Sequence, residues 1–161
     1  MTATSPKLFA VALAVLITPA VWGDGDFDQG FTAYNRGDYQ EAMKWYRKAA
    51  EIGDAMAQFM LGAMYDSGQG TPENREEAIK WYRLAARQGV SPAQFNLGVM
   101  YGEGQGVPRD YVIAHMWYNL AAAQGNENAR QNRDAIANLM TPAQLDDARR
   151  LVREWLEMHK N

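Results

Sequence analysis

Ala57-Gln58-Phe59-Met60-Leu61-Gly62-Ala63-Met64-Tyr65 and Ala93-Gln94-Phe95-Asn96-Leu97-Gly98-Val99-Met100-Tyr101 are two copies of one pattern, 36 residues apart. The same spacing carries Gly68-Gln69-Gly70 onto Gly104-Gln105-Gly106, and Pro72 onto Pro108. Working outward, Ala42, Trp45 and Tyr46 recur as Ala78, Trp81 and Tyr82, and again as Ala114, Trp117 and Tyr118. Ala49-Ala50 recurs as Ala85-Ala86 and Ala121-Ala122, and Gly53, Gly89 and Gly125 close the series. A fixed period of this length marks a repeat array, in which each unit buries its apolar face against its neighbours.

Each period reads as two helices. A short first helix carries Phe59, Leu61-Gly62 and Tyr65; the second runs from about Asn74 to Gln88, with small and aromatic positions on one face. Asp38, Asn74 and Asp110 share one repeat position and are predicted N-caps. Glu41 and Glu77, three residues further on, are predicted to complete capping boxes. Gly53, Gly89 and Gly125 suit the left-handed residue that ends a helix. The alanines, with Gly62 and Gly98, are expected where one helix backbone lies on the next, and the tryptophans and tyrosines are expected to fill the larger holes.

The two ends differ from the repeats. Leu8–Ile17 is a continuous apolar run after a short polar start containing Lys7, and Thr18-Pro19-Ala20-Val21-Trp22-Gly23 follows it. This is the layout of a secretory signal peptide over residues 1–23, with cleavage expected at Gly23 and Ala20 as the alternative. Leu8–Trp22 contains Pro19 and falls short of the ~20 residues that span a bilayer. At the other end Arg130, Gln131, Arg133 and Asp134 take the apolar and glycine positions of a fourth copy, as a terminal unit requires. Thr141-Pro142-Ala143-Gln144 then opens a last helix, whose stripe of Leu145, Ala148, Leu151, Val152, Trp155 and Leu156 is expected to seal the open end of the stack. Residues 24–161 are therefore expected to form one repeat domain, with a first repeat at 27–55, a second at 56–91, a third at 92–127 and capping helices at 128–161.

Leu61 to Gly89 and Leu97 to Gly125 each follow Leu-Gly-x-x-Tyr, then Gly-x-Gly-(Val/Thr)-Pro, then Ala-x-x-Trp-Tyr-x-x-Ala-Ala-x-Gln-Gly. This pattern resembles the Sel-one-like repeat, a relative of the tetratricopeptide repeat. The first copy departs from it: Phe27–Gly37 runs straight to Asp38 without the Gly-x-Gly loop, with the spacing of an ordinary tetratricopeptide repeat. The resemblance implies an all-α fold: a right-handed α-solenoid of helix–turn–helix repeats with a C-terminal capping helix. It also implies a concave face that binds other proteins.

Composition narrows the chemistry. The chain has 161 residues, a formal charge of −3 and no cysteine. Absence of cysteine excludes a disulfide scaffold, a thiolate zinc site and a cysteine nucleophile; the acidic balance without charged runs excludes a nucleic-acid footprint. Asp24-Gly25-Asp26-Phe27-Asp28 opens like a calcium loop, but Gln29 and Asn35 stand where that loop needs glycine and a bidentate acid. The Gly-x-Gly segments lack the Lys-Ser/Thr of a phosphate loop and recur with the repeat, so they read as turns. Two isolated histidines, His115 and His159, do not make a zinc site. Lys44, Arg47, Lys48, Lys80, Arg83 and Arg87 read as a solvated outer face.

No catalytic, cofactor or metal residue is expected, and the chain reads as a non-enzyme. The expected function is binding of another protein in the bacterial envelope, most naturally the periplasm, as an adaptor, a scaffold or an immunity-type protein that sequesters a toxin. No nucleic acid is expected as partner, and membrane contact only through an uncleaved signal peptide. The alternative that the resemblance carries is a β-lactam- or peptidoglycan-related enzyme, as linked to cysteine-rich relatives. The expected partner-binding residues are Phe27, Phe31, Tyr34, Met56, Phe59, Asp66 and Phe95 on first helices. Met56, Met60, Met64 and Met100 extend the same expectation, since adaptable methionines and rigid rings are common anchors.

Overall fold

The structure is a computed structural model that describes residues 20–160; the signal-peptide reading of residues 1–23 falls almost wholly outside it. Eight helices follow in order among the described residues, with no strands: α1 (Ala20–Asn35), α2 (Tyr39–Glu51), α3 (Ala55–Ser67), α4 (Arg75–Arg87), α5 (Ser91–Glu103), α6 (Tyr111–Ala123), α7 (Glu127–Ala137) and α8 (Pro142–Met158). Each first helix (α1, α3, α5) packs on the second helix that follows it, and each second helix packs on the next first helix. The result is an all-α solenoid, first helices in one layer and second helices in the other.

Local chemistry sets the boundaries. Asn74 Oδ1 accepts from the Glu77 amide at 3.0 Å, and Asp110 Oδ1 from the amides of Val112 and Ile113 at 2.9 and 3.1 Å. Asp38 makes no such bond; its carboxylate pairs with Arg36 instead. The capping boxes expected at Glu41 and Glu77 do not form. Glu41 accepts from Lys44 Nζ and Trp45 Nε1, and Glu77 from Lys80 Nζ, because a cation one turn ahead attracts the carboxylate more strongly than a neutral amide does. A complete box is present at Thr141 and Gln144. Gly53, Gly89 and Gly125 have φ of +101°, +85° and +86°, just past the ends of α2, α4 and α6.

The close approaches differ in kind from the expectation. A Cβ on Gly62 would lie 2.5 Å from Tyr82 Cδ1, and one on Gly98 would lie 2.4 Å from Tyr118 Cδ1. Gly30 stands in the same relation to Tyr46, at 2.7 Å. It is therefore a tyrosine ring, not a helix backbone, that lies flat on each glycine. Phe27, Phe59 and Phe95 occupy one repeat position and pack on the same three tyrosines, with ring centroids 5.5, 5.9 and 5.9 Å apart.

Successive repeats are also tied by polar clasps. Gln58 and Gln94, both buried, donate to the carbonyls of Ala50 and Ala86 near the ends of α2 and α4. Each in turn accepts a 2.8 Å bond, Gln58 from Gln88 and Gln94 from Gln124. Arg47 donates to the Tyr65 hydroxyl and Arg83 to that of Tyr101, so two of the six outer-face cations are joints between repeats.

The last helix does not sit on the exposed side of α7. It folds back onto α6, and its Trp155 end reaches Trp117 and the end of α4 at Arg87–Gly89. The sequence of α6 explains this. Met116 replaces Lys44 and Lys80 of the earlier second helices, and Leu120 replaces Lys48, a change already made at Leu84. Both are buried, so α8 covers an outer face that in α2 and α4 stays charged.

Candidate protein-binding face on the first helices

The seven residues expected to bind a partner all lie on α1, α3 and α5, but they do not form one exposed patch. Phe31 and Met56 are exposed, 50% and 46%, and among the residues of these three helices whose burial is described they are the exposed large apolar side chains. Phe27, Phe59 and Phe95 are half-buried by their tyrosines and present one edge. The Tyr34 hydroxyl donates to Gln69 Oε1 at 3.0 Å, which ties α1 to the loop after α3. Asp66 lies 3.9 Å from Arg75, and burial pushes its carboxyl above the usual range despite that cation. Met64 and Met100 are fully buried and belong to the core, not to a surface; periodicity placed them on the right helices but on the wrong side.

Charge divides along the two layers. Among the described residues α1, α3 and α5 contain no lysine or arginine, while α2 and α4 carry Lys44, Arg47, Lys48, Lys80, Arg83 and Arg87. Asp28, Asp66 and Glu103 give the first helices an acidic character. The acidic stretch considered for calcium is not a loop, since Asp24–Asp28 lies within α1.

Sequence reasoning missed one cleft. It has a volume of about 240 Å³ and lies between the end of α5, the start of α6 and α7. Gly102, Tyr118 and Asn132 form its floor; Tyr111, Ile136 and Leu139 its apolar walls; Glu103 its acidic side. Asn132 Nδ2 donates to the Tyr118 hydroxyl at 3.4 Å. The signal was present at position 102, where glycine replaces the Tyr34 and Asp66 of the earlier copies.

His115 is buried on α6, with Arg133 and Asp134 of α7 and Arg149 of α8 around it. Burial, then the two guanidinium groups, push its pKa below the ordinary histidine value. Among the described residues no three His, Cys, Asp or Glu side chains are placed to hold a metal ion, and no helix is long and apolar enough to cross a membrane.

Comparison with known proteins follows the same repeats. The Sel1 repeat family model matches residues 29–54, 55–90 and 91–126, well over half of the chain. Among solved structures, a protective antigen of uropathogenic Escherichia coli with an SLR fold is 34% identical, with a TM-score of 0.79 over 84% of this chain and 30% of that one. A Sel1 repeat protein from Oxalobacter formigenes is 33% identical, with a TM-score of 0.67 over 83% of this chain and 59% of that one. The chain thus spans about a third and about three-fifths of these two relatives. Helicobacter pylori cysteine rich protein B, 23% identical with a TM-score of 0.55 over 57% of this chain and 69% of that one, shares the fold alone. No curated protein gives a significant match. Three matched repeats, set end to end in an all-α solenoid, place this chain in the Sel1 repeat family.

Proposed function

We propose that the protein is a non-catalytic binding module of the bacterial envelope that holds a partner protein against the layer formed by α1, α3 and α5. Sel1 repeats are generally protein-interaction modules. The observation that carries the reading here is the division of the surface. Phe31 and Met56 are exposed on helices free of lysine and arginine, while the helical cations, including the two that act as repeat joints, lie on the second helices and the cap, and Arg36 and Arg109 stand in loops. A rigid ring held by a stiff scaffold loses little entropy on binding, and a flexible methionine adapts its shape to the partner, which makes the two complementary anchors. Export through residues 1–23 and a periplasmic location belong to the same proposal, as does the choice between an adaptor and an immunity-type role.

The test uses the exported chain as bait in periplasmic extract, beside a Phe31→Glu/Met56→Glu variant and a Lys44→Glu/Lys80→Glu variant. The proposal expects a stoichiometric partner that the first variant loses and the second keeps. Retention by the first variant and loss by the second would contradict it, as would turnover of a β-lactam or peptidoglycan fragment by the partner-free protein.

A further inference from the structure

Tyr34, Asp66 and Gly102 are one repeat position, in the last turns of α1, α3 and α5. Tyr34 is engaged by Gln69 and Asp66 faces Arg75, so in two repeats the place is filled. Gly102 leaves it open. The backbone does not require glycine there, because Gly102 is not among the residues of positive φ. Packing does not require it either: an added Cβ would meet Ala114 Cβ and Tyr118 Oη, each at an ordinary 3.7 Å. Glycine weakens a helix relative to alanine, so this position forgoes stability that neither turn nor contact demands. What the glycine preserves is the 240 Å³ cleft.

The lining of that cleft describes its occupant. Ile136 and the 64% exposed Leu139 offer an apolar wall. Glu103 stands at the edge without an ion-pair partner among the described residues, and its hydrogen-bond neighbour is the neutral Gln105 amide at 2.5 Å. Asn132 and Tyr118 add oxygen acceptors at the floor. We propose that the cleft at Gly102 seats an arginine side chain of the partner protein. The aliphatic stem lies along Ile136 and Leu139, and the guanidinium meets the Glu103 carboxylate. Arginine fits better than lysine because its planar fork serves acceptors on two sides at once, here Glu103 and the floor oxygens, whereas an ammonium acts as a point charge. α1, α3 and α5 carry no lysine or arginine, and Arg109, in the loop before α6, stacks over the Tyr111 ring at 5.4 Å and makes no ion pair with Glu103.

This inference rests on the first-helix layer being the binding face, and its test separates the two. The full chain is titrated with N-acetyl-arginine methylamide, its lysine analogue and its norleucine analogue, following the amide signals of Gly102, Glu103 and Leu139. The arginine compound is expected to give saturable shifts there, severalfold tighter than lysine and absent with norleucine. Glu103→Gln should weaken it severalfold and Gly102→Met should abolish it, with an unchanged thermal midpoint or a higher one showing that the variant is folded. Equal response to norleucine, no localised shift, or shifts that persist in Gly102→Met overturn the proposal. In the capture assay, a partner retained by both cleft variants but lost by Phe31→Glu overturns the arginine seat and leaves the first-helix reading standing. A partner lost by the cleft variants supports both.

Discussion

Gly98→Ala tests the packing of the array at its tightest point. A Cβ at this position would stand 2.4, 2.5 and 3.0 Å from three ring carbons of Tyr118, a side chain that is 4% exposed and backed by Phe95. The clash runs along the ring edge to Cγ, which is tied to the backbone through Cβ and cannot swing clear, so an overpacking cost of about 3 kcal/mol, at the upper end of the usual range, applies. Replacing glycine by alanine within a helix returns about 1 kcal/mol. The net expectation is destabilisation by about 2 kcal/mol, and Gly62→Ala, with its Cβ 2.5 Å from Tyr82, should behave alike. Gly102→Ala is the internal control. Its Cβ finds 3.7 Å of room, so only the helix term remains and the variant should gain about 0.5–1 kcal/mol. Urea unfolding followed by helical circular dichroism measures all three, with unchanged slopes showing that the native and unfolded states remain comparable. Adding Tyr118→Leu to Gly98→Ala should recover part of the loss, with a coupling of about 1–3 kcal/mol. Gly98→Ala within about 0.5 kcal/mol of the parent, or Gly102→Ala as damaging as Gly98→Ala, would refute the reasoning.

Other predictions follow from the polar interior. Gln94→Leu removes the bond to the Ala86 carbonyl and strips Gln124 of its acceptor, so it should cost about 1–3 kcal/mol in the same assay. Tyr46 has a buried hydroxyl with no partner among the described residues, and burial pushes its pKa up to about 12; Tyr46→Phe should be neutral or slightly stabilising by thermal unfolding. His115 has a lowered pKa when folded, so the unfolded chain takes up its proton first as pH falls from the unperturbed value of 6.5. Its contribution to stability is complete above that value and declines below it. His115→Ile, which borrows the Ile79 of the preceding repeat, should therefore flatten the fall in stability between about pH 7 and pH 5.

The period made most of the architecture readable, because the alanine, glycine and tyrosine positions are imposed by inter-helix contact and so recur with it. The features that escaped are those where a side chain chooses among partners. Glu41 and Glu77 have the right spacing for a capping box, yet each turns to a lysine one turn ahead. Gln58 and Gln94 stood in plain view inside the repeated Ala-Gln-Phe, but nothing in the spacing says that their amides reach back to a carbonyl in the preceding helix. The path of α8 was encoded chiefly as Met116 in place of Lys44 and Lys80, beside Leu120, a signal visible only by comparing second helices with one another. Which side of a first helix meets solvent could not be read from a period that fixes position along the chain but not rotation. Met64 and Met100 turn inward, against the expectation from the period, while Phe31 and Met56 face outward.

Hydrogen exchange of the chain alone and in complex with its captured partner shows which helices the partner covers. A partner held by the first-helix layer slows exchange along α1, α3 and α5 and at Gly102–Glu103, and leaves α2 and α4 unchanged. Protection confined to the faces bearing Lys44, Lys80 and Arg87, with the first helices unaffected, would contradict it.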